Sequence, residues 1–184
     1  GNDVITADGG NDTISGGAGN DLIYGGDGED RFVVEDGFGT DTLYGGTFEE
    51  TGTDRDTLDL SALGSNVTVT FTGDEQGTFT DGTHTATFFD FEDVILSEQN
   101  DVLDATNDTT GVTLDARGGD DSILGSGAAD SVALSSGADT YTSGAGNDIV
   151  YAGDGDDRIT TTGAGDQTID AGSGNDSIST GSGS

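Results

Sequence analysis

The sequence predicts an all-β fold, a parallel β-roll (a β-helix or solenoid) in two blocks separated by a β-rich insert. Three observations lead to it. Near both ends of the chain an Asp followed two places later by an aliphatic or aromatic residue recurs in nine-residue steps, each preceded by a glycine-rich run. No proline interrupts any segment, which suits long runs of hydrogen-bonded strands. No segment carries the apolar period of a helix.

Residues 1–44 form the first block. Its aspartates are Asp3, Asp12, Asp21, Asp30 and, after a two-residue slip, Asp41, with Ile5, Ile14, Ile23, Phe32 and Leu43 as apolar partners. In each step Asp-x-apolar makes a very short strand, and alternation sends the Asp and the apolar residue inward. The glycines make the turn, since a tight reversal needs backbone angles that Gly adopts at little cost. Residues 45–98 change character and read as a β-rich insert or cap. Val67-Thr68-Val69-Thr70-Phe71 alternates as a half-buried strand, Gly77 to Phe89 reads as a hairpin around Asp81-Gly82, and Phe88 to Leu96 is the most apolar stretch. His84 stands alone at a turn and reads as an ordinary exposed residue. Residues 99–184 form the second block, with Asp121, Asp130, Asp139, Asp148, Asp157 and Asp176 ahead of Ile123, Val132, Tyr141, Val150, Ile159 and Ile178. Three departures mark weak points. Ala128 replaces a turn glycine before Asp130 and should strain that turn if the position is left-handed. Gln167 stands where Asp is expected, and Val112 takes another Asp position.

Gly16-Gly17-Ala18-Gly19-Asn20-Asp21-Leu22-Ile23-Tyr24 fits the nonapeptide G-G-x-G-x-D-x-U-x. With the other steps in phase around it, the chain resembles the RTX family of hemolysin-type calcium-binding repeats over roughly 1–44 and 99–184. That resemblance implies coils of about eighteen residues, two strands and two turns each, stacked as parallel strands. Aspartates on one side of the roll are then two steps apart. Asp3 should lie over Asp21, Asp12 over Asp30, Asp21 near Asp41, Asp121 by Asp139, Asp130 by Asp148, Asp139 by Asp157 and Asp157 by Asp176. Each pair would share one calcium, about eight ions in all, with turn carbonyls completing the shell. The resemblance also implies a secreted or cell-surface protein of a Gram-negative bacterium, exported by type I secretion and folding where calcium is plentiful.

Composition points the same way. Thirty-seven acidic residues face Arg31, Arg55, Arg117 and Arg158, with no lysine, for a formal charge of −33. Such charge excludes nucleic acid as a natural partner and repels an anionic membrane. With 30% hydrophobic residues, a chain this acidic stays disordered unless a cation neutralises it. Carboxylates and carbonyls are the hard oxygen donors calcium takes, whereas zinc is poorly served by one His and no Cys. No signal peptide and no apolar run long enough to span a membrane is visible, and Gly1-Asn2-Asp3 falls in mid-repeat, as in a segment of a longer protein.

The leading expectation is a non-enzymatic, calcium-stabilised structural roll. A second reading is an assembly segment of a surface layer, filament or adhesin, with outward Tyr24, Tyr44 and Tyr151 contacting copies of itself or other surface proteins. A third is the accessory roll of a secreted hydrolase, although neither H-E-x-x-H nor G-x-S-x-G occurs here. The loop from Asp154 is no EF-hand, because its twelfth position is Gly165 where a bidentate Glu is required.

Overall fold

The computed structural model describes residues 1–46 and 54–181; residues 47–53 of the expected insert and 182–184 lie outside the described residues. Every element is a strand, most of them three residues long, because each apolar residue is followed within two places by the next turn. In chain order these are β1 (Val4–Thr6), β2 (Thr13–Ile14), β3 (Leu22–Tyr24), β4 (Arg31–Val33), β5 (Thr42–Tyr44), β6 (Thr57–Asp59), β7 (Thr68–Gly73), β8 (Gln76–Thr80), β9 (Thr85–Phe89) and β10 (Asp93–Ile95). There follow β11 (Val102–Asp104), β12 (Thr113–Asp115), β13 (Ser122–Leu124), β14 (Ser131–Ala133), β15 (Thr140–Ser143), β16 (Ile149–Tyr151), β17 (Arg158–Thr161), β18 (Thr168–Asp170) and β19 (Ser177–Ser179). No helix of the described residues is long and apolar enough to cross a membrane.

Outside the insert the chain alternates between two sheets, so each coil contributes one strand to each. The first is eight-stranded, in the order β18-β16-β14-β12-β10-β6-β4-β2, and every pairing in it is parallel. The second is eleven-stranded, in the order β1-β3-β5-β9-β8-β7-β11-β13-β15-β17-β19. It is parallel except where β8 runs antiparallel between β7 and β9. The hairpin expected from Gly77 to Phe89 is therefore present as β8–β9, and β7 turns it into a three-stranded meander. Because β6 and β10 bridge β4 to β12, the two repeat blocks and the segment between them share one continuous solenoid.

Register places like on like. Ile5 pairs with Ile23 and Ile23 with Leu43; Ile123, Tyr141, Ile159 and Ile178 follow one another in the same way. These inward residues make a single column of core between the sheets, with Ile23, Leu43, Phe88, Leu103, Ile123, Tyr141 and Ile159 all buried. The column is thickest at the meander. There Phe32, Phe71, Phe79, Phe88 and Phe91 are buried, Phe71 and Phe88 meet edge to face at 5.2 Å, and Phe91 meets Phe32 at 4.9 Å. Edge-to-face rings match a positive rim to a negative face, adding about 1 kcal/mol each beyond burial. On the outer face Tyr24, Tyr44 and Phe89 stack with centroids 5.0 and 4.8 Å apart. Three of the four arginines also clip neighbouring coils: Arg31 to Asp59 at 2.7 Å, Arg55 to Asp93 and Arg117 to Glu98.

Two expectations at turns are corrected. His84 is half-buried, bonded through Nδ1 to Asp81 at 2.9 Å and packed on Phe38, because the hairpin end folds down over the loop before Asp41. Ala128 does not adopt a left-handed conformation, so the expected strain is absent. Its loop is held instead by Ser126, whose hydroxyl accepts a hydrogen bond from the Ala128 amide at 3.1 Å.

Candidate cation sites along two aspartate rims

The turns between the sheets lie along the two rims of the roll. Each rim repeats one local device. A turn glycine with positive φ lies directly against the carbonyl of the coil before it: Gly26 (φ 110°) against Asp8 O, Gly137 (φ 138°) against Gly119 O. A Cβ at either position would overlap that oxygen, so coils approach this closely only with glycine there. Carbonyl oxygens are thereby stacked coil upon coil beside the aspartate that closes the turn.

Those aspartates form two ladders. On one rim the backbone N–H of Asp3 donates to Asp21 Oδ1 at 2.8 Å, and that of Asp21 to Asp41 Oδ1 at 2.8 Å. The same rim resumes from Val67, inside the insert. Val67 donates to Asp101 (2.7 Å), Asp101 to Asp121 (2.7 Å), Asp121 to Asp139 (2.8 Å), Asp139 to Asp157 (2.9 Å) and Asp157 to Asp176 (3.1 Å). On the other rim Asp12 donates to Asp30, Asp30 to Asp56 and Asp56 to Glu92 Oε2, each at 2.8 Å. After the insert, Val112 donates to Asp130 at 3.1 Å and Asp130 to Asp148 at 3.0 Å. All eleven aspartates singled out from the sequence thus stand on these ladders, beside the neighbours their spacing requires. The structure adds Asp56 and Asp101, which sequence reasoning passed over. Both carry the Asp-x-Leu signal, in Asp56-Thr57-Leu58 and Asp101-Val102-Leu103, but the residues ahead of Asp101 (Leu96 to Asn100) contain no glycine.

The second carboxylate oxygen is what makes the rims unusual. Oδ1 is spent on the ladder, while Oδ2 of Asp21, Asp30, Asp121, Asp139, Asp148 and Asp157 is buried without a hydrogen-bond partner. These oxygens point into the turn, where a Cβ added to Gly16 would come within 2.6 Å of Asp21 Oδ2. Buried polar atoms are nearly always satisfied, and leaving one unpaired costs about 1–3 kcal/mol, more if charged. Among the described residues no three carboxylate or imidazole groups converge on one point. A cation on these rims must therefore draw on at most two carboxylates completed by carbonyl oxygens, the donor set calcium accepts.

Two rungs differ. Ser126 donates its N–H to Asp130 Oδ2 at 2.9 Å and its hydroxyl to Oδ1 at 2.5 Å, and Tyr141 Oη adds a bond to Oδ2 at 3.3 Å. Ser97 grips Asp101 in the same manner, through its N–H at 2.8 Å and its hydroxyl at 2.8 and 3.0 Å. Here a serine in the second turn position supplies protons where the other turns leave an oxygen open. Gln167, in an aspartate position, donates Nε2 to Gly146 O at 2.8 Å and leaves Oε1 buried without a partner.

Burial is the main force on the rim carboxyls. It pushes Asp121 up to about 7, aided by Asp139 and Asp101, and Asp139 to about 6, aided by Asp157. Asp41 rises to about 6, again chiefly from burial. Between roughly pH 4 and pH 7 the cation-free folded state therefore binds more protons than the unfolded chain, so its stability falls as pH rises through that window. Calcium-depleted protein is expected to gain β signal in circular dichroism as pH is lowered from about 7.5 to about 5. A flat or falling signal would show that the rims are not proton-starved.

A family model for the RTX calcium-binding nonapeptide repeat matches the chain in four copies, over residues 1–32, 113–141, 134–162 and 161–184, together more than half its length. No curated protein matches the chain significantly.

Proposed function

Since the chain belongs to the RTX calcium-binding nonapeptide repeat family, we propose that its aspartate rims hold calcium between successive coils and that this binding drives folding. The roll is a structural, calcium-binding element. Asp3, Asp12, Asp21, Asp30 and Asp41 serve the first block, and Asp121, Asp139, Asp148, Asp157 and Asp176 the second, with glycine-turn carbonyls beside them. Asp130 is set apart, because Ser126 and Tyr141 already satisfy its carboxylate. The observation that carries this reading is the row of buried Oδ2 atoms without partners. A bound cation supplies the positive charge that adjacent carboxylates need, and its ligands must be deprotonated, so protons and calcium compete for the same rims.

The same reading places the protein outside the cell, secreted by or attached to the surface of a Gram-negative bacterium after type I export. At −33 the calcium-poor chain repels itself and stays unfolded, the state an export channel requires, and millimolar calcium outside then supplies folding free energy. Extracellular modules work with dissociation constants of roughly 10⁻⁴ to 10⁻³ M.

Anomalous scattering from calcium-grown crystals tests the site assignment. Peaks are expected between Asp121 and Asp139 and between Asp139 and Asp157, with none on Asp130. Calcium found mainly on the outer sheet faces, or a peak on Asp130 equal to the others, would overturn it.

A further inference from the structure

One buried carboxylate outside the nonapeptide phase keeps an oxygen without a partner. Asp108 sits in the loop between β11 and β12, two residues longer than the repeat turns on that rim, and is only 1% exposed. Its backbone is pinned on both sides: its N–H donates to Ala105 O and its carbonyl accepts from the Gly127 N–H, each at 2.9 Å. Oδ1 accepts the Thr110 N–H at 2.9 Å and the Thr110 hydroxyl at 2.6 Å. Oδ2 is buried and has no partner.

The neighbours are acidic. Glu75, in the turn between β7 and β8, also hydrogen-bonds the Thr110 side chain. Burial pushes its carboxyl up against that bond, and the charges of Asp108, Asp90 and Asp74 push the same way. Glu75 in turn acts on Glu92, the residue that continues the Asp12–Asp30–Asp56 ladder. Thr110 has a single hydroxyl proton and two carboxylates asking for it. Whichever receives it, the other is left facing a negative charge, and Asp108 Oδ2 is unsatisfied in either case. Like charges held at close quarters call for a proton or a cation between them.

We propose that Asp108, Glu75 and Thr110 form a calcium site belonging to the insert, separate from the glycine turns and built from two loops, the β11–β12 connection and the β7–β8 turn. Two carboxylates and a hydroxyl give a hard, all-oxygen donor set, and the exposed side of Thr110 leaves room for water to complete the shell. The site lies where Val112 interrupts the aspartate rim, so it restores a cation bridge at the junction where the repeats lapse. The proposal does not depend on the rim sites.

Calcium titration of the full chain by calorimetry tests it. Asp108→Asn keeps the Oδ1 acceptor for Thr110 and removes the charge; Glu75→Gln does the same on a half-exposed turn, where folding is not at stake. Each variant should bind one calcium fewer than the parent, and the double variant should also lose one, since the two residues share an ion. Asp139→Ala serves as the separate probe of the rims. Unchanged stoichiometry in both single variants, as expected if a proton alone bridges the pair, overturns the insert site. So does a loss of two ions in the double variant. Unchanged stoichiometry in Asp139→Ala overturns the rim reading instead.

Discussion

Chelation of calcium at neutral pH is expected to unfold the roll and restoration of calcium to refold it, with circular dichroism losing its β signal and then recovering it. The size of the effect follows from linkage. Each ion that binds only the folded state, present at a hundredfold its dissociation constant, contributes about 2.7 kcal/mol. Domains are stable by only about 5–15 kcal/mol in all, so losing two or three ions removes most of that margin. Ion removal also leaves six rim oxygens buried without partners, each a further penalty. A β spectrum that survives verified calcium removal would sink the idea, since the rims would then be held by protons and packing alone.

The second large effect is positional. Asp139 has a rung on either side: it accepts from the Asp121 N–H at 2.8 Å and donates its own N–H to Asp157 at 2.9 Å. Asp176 accepts from Asp157 at 3.1 Å, immediately before the terminal strand, whose residues are all exposed. On the proposed assignment, Asp139 would therefore touch two inter-coil sites and Asp176 one. Asp139→Ala is expected to release more than one calcium equivalent and to destabilise the roll more than Asp176→Ala by about 2–4 kcal/mol at saturating calcium. Asp156 lies out of phase in an exposed turn, bonded through Oδ1 to the Asn175 amides, and Asp156→Ala should change calcium binding little. Calorimetry on the three variants decides the matter. Equal losses for Asp139 and Asp176, or a large loss for Asp156, would mean that the inward rank is elsewhere.

How much of this was legible in the residues themselves depends on whether a physical period was present. The rims were legible because Asp and its apolar partner recur at a fixed step, and inward alternation leaves the pair no other orientation. Asp56 and Asp101 were not, because an aspartate preceded by a lone Gly52 or by no glycine at all looks like any strand-edge residue; only the register of β6 and β11 reveals its rank. The unbroken eight-stranded sheet was equally hidden. Thr57-Leu58-Asp59 and Asp93-Val94-Ile95 are ordinary short strands in sequence, and their pairing across the insert depends on contacts 36 residues apart. Ser126 illustrates a different limit. A serine in a glycine position reads as a tolerated turn residue, whereas its hydroxyl in fact occupies the carboxylate that the turn would otherwise leave open.

The ladders have a grain. Every rung runs the same way, from the amide of one coil to the side chain of the coil that follows it in sequence. Damage to the ladder is accordingly one-sided. Removing the Asp139 carboxylate orphans the amide of Asp121, one coil upstream, while the amide of Asp139 itself remains fastened to Asp157. Each ladder amide thus reports on a side chain downstream of it, eighteen to twenty residues away within the repeats and 26 to 36 across the insert, never on its own. In the hydrogen-bond ladder, as distinct from any shared cation, a lesion loosens the rung behind it and spares the rung ahead.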